Sequence, residues 1–146
     1  MSRAEGATFV ELLVVLTLLG LVAGATAIYL KPMETSTRDG ALQVEGFFKE
    51  ARFKAMATTS AYRVRPETSS RLIAETAASC SSATWTADSS VSSDLPRDVT
   101  LGDTAWSLCF NSRGIASQNV TLTVQQAGRP TRIVEVLLGG TARIAP

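Results

Sequence analysis

Histidine is absent from this chain of 146 residues, and cysteine occurs only twice, at Cys80 and Cys109. The first absence excludes the usual histidine-based catalytic triads, and the two together argue against a zinc site. There is no Gly-rich phosphate-binding loop, so any chemistry would fall to serine, lysine or carboxylates. Net charge is scarce as well. The 14 Lys and Arg against 13 Asp and Glu leave +1, which directs the chain as a whole neither to nucleic acid nor to an acidic partner. A signal-anchored enzyme would have to rely on carboxylates such as Asp98 and Asp103 with no partner in view. The chain therefore reads as a non-enzyme with no catalytic residue, no metal and no cofactor.

A further absence is local. From Leu12 to Leu30 there are 19 residues without a charge. A helix of that length rises about 28 Å, close to the roughly 30 Å hydrocarbon layer of a bilayer, so a single membrane span is the first reading. The polar stretch before it, "MSRAEG", is short, and no small-residue cleavage region separates the apolar run from "KPMETSTRD". That order fits an uncleaved apolar segment behind a very short leader better than a conventional secretory signal. Arg3 favours a cytoplasmic N-terminus, with everything after Lys31 on the far side of the membrane.

Glu11 stands at the head of the apolar run, two residues after Phe9. A carboxylate in the apolar layer costs a few kcal/mol and marks a function or a partner. One partner would be a free amine at the same depth. The alternative is a place in the headgroup region at the helix start, where negative charge suits the helix dipole. Farther along, Gly20 and Gly24 form a G-x-x-x-G that permits close helix approach and is common in membrane helices generally.

The order Gly6, Ala7, Thr8, Phe9, Val10, Glu11 followed by the apolar run resembles the class III signal of type IV prepilins and type II secretion pseudopilins. Ala7 stands where that family usually has Phe. The resemblance implies that a prepilin peptidase cuts between Gly6 and Ala7, and that Ala7 becomes the methylated N-terminus. Glu11 then pairs with the N-terminal amine of a neighbouring subunit during assembly.

After Pro32, which predicts a kink or local break, helical periodicity resumes. Ala41, Val44, Phe48, Ala51 and Ala55 recur at three- and four-residue steps, and Glu45, Lys49, Glu50, Arg52 and Lys54 occupy the other side. The expectation is one long bent helix from about Thr8 to about Thr58. Beyond it, "AYRVRP" and "RLIAE" around "ETSS" suggest a hairpin, and "WSLCF", "NVTLTVQ" and "RIVEVLL" read as strands joined by "SRG" and "QAGRP" turns. Residues 77–103, rich in Ser, Thr and Asp, read as a surface excursion with at most short strands around Trp85 and Val99. A helix followed by strands gives an α+β domain, the sheet packed on the second half of the helix.

The closing segment "LCFNSRGIASQNVTLTVQQAGRPTRIVEVLLGGTARI" is similar to that of the GspH/FimT family of minor pilins and pseudopilins. Phe110, Asn111, Arg113 and Gly114 match its first element, Gly128, Arg129 and Arg132 the second, and Gly140 with Arg143 the last. The resemblance implies a type IV pilin-like fold, in which a membrane anchor and its amphipathic continuation pack on a small antiparallel β domain. The segments would be a leader over 1–6, a transmembrane and filament-core helix over 7–30, its amphipathic continuation over 31–58 and a β-rich domain over 59–146. The implied partners are other pilin or pseudopilin subunits, the prepilin peptidase and an inner-membrane assembly platform. The implied location is the inner membrane, with the C-terminal domain periplasmic, and then a pilus or pseudopilus.

Outside the cytoplasm disulfides persist, so Cys80 and Cys109 are expected to pair, the alternative being a buried Cys109 and a loop thiol at Cys80. From Thr104 onward Arg113, Arg129, Arg132 and Arg143 face only Glu135. In the family, a C-terminal Arg motif is implicated in DNA uptake. Arg129, Arg132 and Arg143 match it and could converge on one face as phosphate contacts, which makes a pilus-borne DNA receptor the alternative function. Against it, a solvated or ion-paired face would use the same residues, and no aromatic is interleaved to stack on bases.

Overall fold

The amphipathic stripe read from the sequence is the organising element. The computed structural model describes residues 9–29 and 37–145, with side chains of the first segment over 9–20. It comprises two units, Met1–Glu34 and Thr35–Pro146. The expected cut at Gly6, the break at Pro32 and the continuity of the helix across residues 30–36 lie outside the described residues.

In the second unit, helix α2 spans Thr37–Ala57 and buries Thr37, Gly40, Ala41, Val44, Phe47, Phe48, Ala51 and Ala55 along one face. Glu45 and Lys49, one turn apart on the exposed side, form an ion pair of 2.6 Å. The helix stops in a Schellman arrangement. Thr59 takes a left-handed φ of 53°, Ser60 N–H reaches the Ala55 carbonyl at 3.1 Å, and Thr59 N–H reaches that of Met56 at 3.4 Å.

Two antiparallel sheets receive the buried face. One has the order β3-β2-β1-β5, from Ala61–Thr68 (β1), Arg71–Ala77 (β2), Thr86–Asp94 (β3) and Leu108–Phe110 (β5). The other has the order β4-β6-β7-β8, from Val99–Leu101 (β4), Val120–Gln126 (β6), Arg132–Val136 (β7) and Ala142–Ile144 (β8). Strand β6 shows the period-2 rule plainly, burying Val120, Leu122 and Val124 and exposing Thr121, Thr123 and Gln125. Gly40 lets the helix close on the second sheet, because a Cβ there would come within 2.7 Å of Val99 Cγ1.

Phe48, Phe110, Leu72, Leu108 and Leu122 are among the largest fully buried side chains, each worth about 1.5–3 kcal/mol of transfer from water. The whole apolar cluster is built from residues between Ala41 and Ala142, with Ile144 packed against it. Residues 35–146 thus contain everything their core requires.

The excursion over 77–103 corrects the sequence reading. The three-residue β4, paired with β6, stands at Val99 as expected, but where at most a short strand around Trp85 was expected there is the nine-residue β3, paired with β2 from Thr76↔Thr86 to Arg71↔Asp94. Composition alone disfavours "TADSSVSSD" as a strand. The ladder to β2 forms it nonetheless, and burial of Val91 and Ser93 fixes which face turns inward. Backbone bonds from Leu95 N–H to Ser70 and from Leu101 N–H to Ser69 clamp the excursion to the β1–β2 turn.

Candidate functional site

Helix α1 spans Phe9–Tyr29 and holds Glu11 in its first turn, where a carboxylate faces the orphan N–H groups. Around it Phe9, Val10, Leu12 and Leu13 are exposed, Phe9 to 79%, and every side chain described from 9 to 20 is exposed. A Cβ on Gly20 would meet nothing within 4 Å. Gly6 and Ala7 lie outside the described residues. No helix among the described residues is long and apolar enough to cross a membrane.

Cys80 and Cys109 form a disulfide with Cα atoms 5.9 Å apart. It ties the loop after β2 to β5. Beside it lies an open cleft of about 390 Å³ lined by Arg63, Trp85 and the serines 81, 82, 107 and 117, among others. Arg63 sits 4.5 Å over the Trp85 ring and gives Nε and Nη2 to Glu75 Oε2 at 2.8 and 2.6 Å, while Arg65 Nη2 reaches Oε1 at 3.1 Å. Arg63 and Glu75 are directly opposed across β1 and β2, and Arg65 reaches the same carboxylate diagonally. The hydrogen bond from Arg65 holds the Glu75 carboxyl below its ordinary value of 4.5, with Arg63 adding to this and burial opposing it. Tyr62 donates to Asp88 at 2.8 Å. Burial, then that carboxylate, raises the Tyr62 pKa, whereas Ser90 and then Tyr62 lower that of Asp88. These groups pin the Ser-rich excursion to β1 and β2. Sequence reading missed this network, although Arg63 and Arg65 at alternate positions opposite Glu75 in the hairpin carried the signal.

The residues matching the C-terminal resemblance separate into two kinds. Asn111 Oδ1 accepts from the N–H groups of Arg113 and Ile115, and Gly114 follows with φ 73°. Gly140 has φ 78°, and a Cβ there would strike the Gly114 carbonyl and lie 2.8 Å from Arg52 Nε. Both glycines therefore allow two turns to close over α2. Arg52 Nε, beneath them, is buried without a hydrogen-bond partner among the described residues.

The arginines do not converge as expected. Arg143 is opposite Glu135 on the outer face of the β7–β8 pair and gives Nη2 to it at 2.8 Å. Arg132 has the parity of the inward-facing Val134 and Val136, so Arg132 and Arg143 belong to opposite faces. Arg129 and Arg132 line one cleft together with Arg38 of α2. Arg113 sits in the Asn111–Gly114 turn, beside the end of α2 that carries Arg52 and Met56.

No protein-family model matches the sequence, and no curated protein matches it. Among solved structures, the type IV minor pilin FimU of Pseudomonas aeruginosa is similar over 75% of this chain and 87% of its own, with a TM-score of 0.59 and 18% identity. The minor pseudopilin EpsH from the Type 2 Secretion System of Vibrio cholerae is similar over 75% of this chain and 96% of its own, with a TM-score of 0.57 and 18% identity. The likeness is one of architecture, in which a helix face is covered by antiparallel sheets. The chain has an α+β, type IV pilin-like fold.

Proposed function

We propose that this chain is a minor pilin or pseudopilin subunit, a structural protein that works by assembly. The observation that carries the reading is the pilin-like fold of the second unit, which covers most of the chains of a minor pilin and a minor pseudopilin. The N-terminal signal supports it independently.

In this reading residues 1–6 are a leader, removed between Gly6 and Ala7 by a prepilin peptidase that then methylates Ala7. Residues 7–30 anchor the chain in the inner membrane with the domain over 59–146 in the periplasm, and residues 31–58 continue the helix beneath that domain. An assembly platform draws the subunit out of the bilayer into a pilus or pseudopilus. The apolar helix leaves lipid for a bundle of similar helices, so its apolar surface stays covered and the free-energy difference is small enough for an external motor to drive. Glu11 sets register by pairing with the N-terminal amine of a neighbouring subunit, a pair that is strong because water is excluded at that depth.

Replacing Glu11 tests this. A Glu11→Leu chain should be processed and membrane-inserted normally yet be lost from the sheared filament fraction. Incorporation equal to that of the unaltered chain would overturn the pairing role. A DNA receptor built on Arg129, Arg132 and Arg143 is not favoured by any specific observation, since only two of the three share a face.

A further inference from the structure

The cleft beside the disulfide has no part in the assembly proposed above. It measures about 390 Å³ and is lined by Arg63, Trp85, Gln118 and four serines next to the two cysteines, a size within the range of small-molecule sites. Its walls are held in place. The Cys80–Cys109 bond joins the Ser-rich turn to β5, Ser82 N–H closes that turn on the Ser79 carbonyl at 3.1 Å, and Gln118 gives Nε2 to the Ser107 carbonyl at 2.9 Å. A site already in its binding geometry loses less entropy when a ligand arrives.

We propose that this cleft binds a neutral saccharide, a pyranose ring seated against Trp85 with its hydroxyl rim toward the serines and Gln118. The hydrogen-bonding groups select that chemistry first. Apart from Arg63, the polar side chains that line the cleft are hydroxyls and one amide, which donate and accept alike. Sugar hydroxyls do the same, whereas an anion calls for donors only and a cation for acceptors only. Charge points the same way. Arg63 is already engaged, giving Nε and Nη2 to Glu75 at 2.8 and 2.6 Å, and among the described residues no carboxylate lines the cleft. Trp85 supplies the apolar contact. It is half-buried, and Arg63 at 4.5 Å over its ring holds it in place, so it offers a fixed surface to the C–H face of a sugar. A peptide finds no strand edge to extend here. The β5 edge is taken by Ser117, whose N–H reaches the Cys109 carbonyl at 2.8 Å and whose Oγ accepts from Cys109 N–H at 3.2 Å.

Residues 35–146, whose core is self-contained, allow a direct test. Trp85 and Trp106 are the two tryptophans of the chain, so in Trp106→Phe the emission reports on the cleft alone. The probes are cellotriose, maltotriose and chitotriose as neutral trisaccharides, with trigalacturonate, inorganic phosphate and trialanine beside them, each up to about 10 mM. At least one neutral trisaccharide should give a saturable change that persists in about 0.5 M salt. By calorimetry, which needs no tryptophan replaced, the same sugar should bind Gln118→Ala about five-fold more weakly than the unaltered domain and Trp85→Ala at least about ten-fold more weakly. Thr121→Ala, on the second sheet, should bind as the unaltered domain does. Urea midpoints equal to that of the parent establish that the variants are folded.

No binding of any neutral trisaccharide, or undiminished binding by both Gln118→Ala and Trp85→Ala, would overturn the proposal. Phosphate or trigalacturonate bound more tightly than every neutral sugar would make the cleft an anion site, and trialanine bound more tightly would make it a peptide site; either overturns it too. The cleft lies wholly within the second unit, so such a failure leaves the processing and Glu11 roles standing, and an unprocessed N-terminus in cells leaves the sugar result standing.

Discussion

Two helices of equal length divide this molecule. Both α1 and α2 have 21 residues, but α2 alternates buried apolar and exposed charged positions, whereas α1 carries Glu11 as its one charge and exposes every described side chain. Length and backbone are the same, so side-chain pattern alone decides where each finds cover. The helix with one apolar face satisfies it with the sheets of its own chain. In the proposed reading, the helix that is apolar nearly all round finds its surroundings in lipid and then in a filament. One half of the protein is then a folding problem and the other an assembly problem, and the two can be perturbed separately.

The largest expected effect is on the folding half. Phe48 is fully buried beside Phe47 and Trp106, and Phe48→Ala should cost about 3–5 kcal/mol, read from urea unfolding of residues 35–146. Removing the disulfide by Cys80→Ser with Cys109→Ser should cost about 3–4 kcal/mol, because the bond closes a loop of 29 residues' separation. Glu75→Gln takes the ionic acceptor from Arg63 and Arg65 and should cost about 2 kcal/mol at neutral pH.

That carboxylate also sets a pH dependence. Its folded pKa is lowered, so its stabilisation is present above the ordinary value of 4.5 and is lost as pH falls from there through the lowered folded value. The urea midpoint should decline in that window less steeply in Glu75→Gln than in the parent. Gly140→Ala should cost at least about 1–2 kcal/mol, since φ is 78° and the methyl would collide with the Gly114 carbonyl. The smallest effect defines the contrast. Leu16→Ala in α1 should leave unfolding of the second unit, measured in detergent, unchanged within about 0.5 kcal/mol; a loss like that at Phe48 would contradict the division.

How much of this was legible follows from what each signal depends on. The α2 stripe and the alternation of β6 are local patterns, and both stand in the structure nearly residue for residue. The pairing of Cys80 with Cys109 needed only a count and a compartment. Strand β3 was missed because "TADSSVSSD" owes its form to the ladder with β2, which local propensity does not reveal. The arginine face was misread for a geometric reason. Whether Arg132 and Arg143 share a face depends on strand parity and on the β7–β8 register, and Glu135 opposite Arg143 settles the matter against it. That Arg38 shares a cleft with Arg129 and Arg132 was invisible in the sequence because a helix far earlier in the chain supplies it. The motif glycines were readable as positions and not as roles, since their tightness involves Arg52 on another element.

The central claim, that the apolar half is delivered and built in as a processed filament subunit, is tested most directly by mass spectrometry of the N-terminus after extraction from cells that carry the peptidase. The account predicts a chain beginning at a methylated Ala7. An unmethylated chain that still begins at Met1 or Ser2 would contradict it.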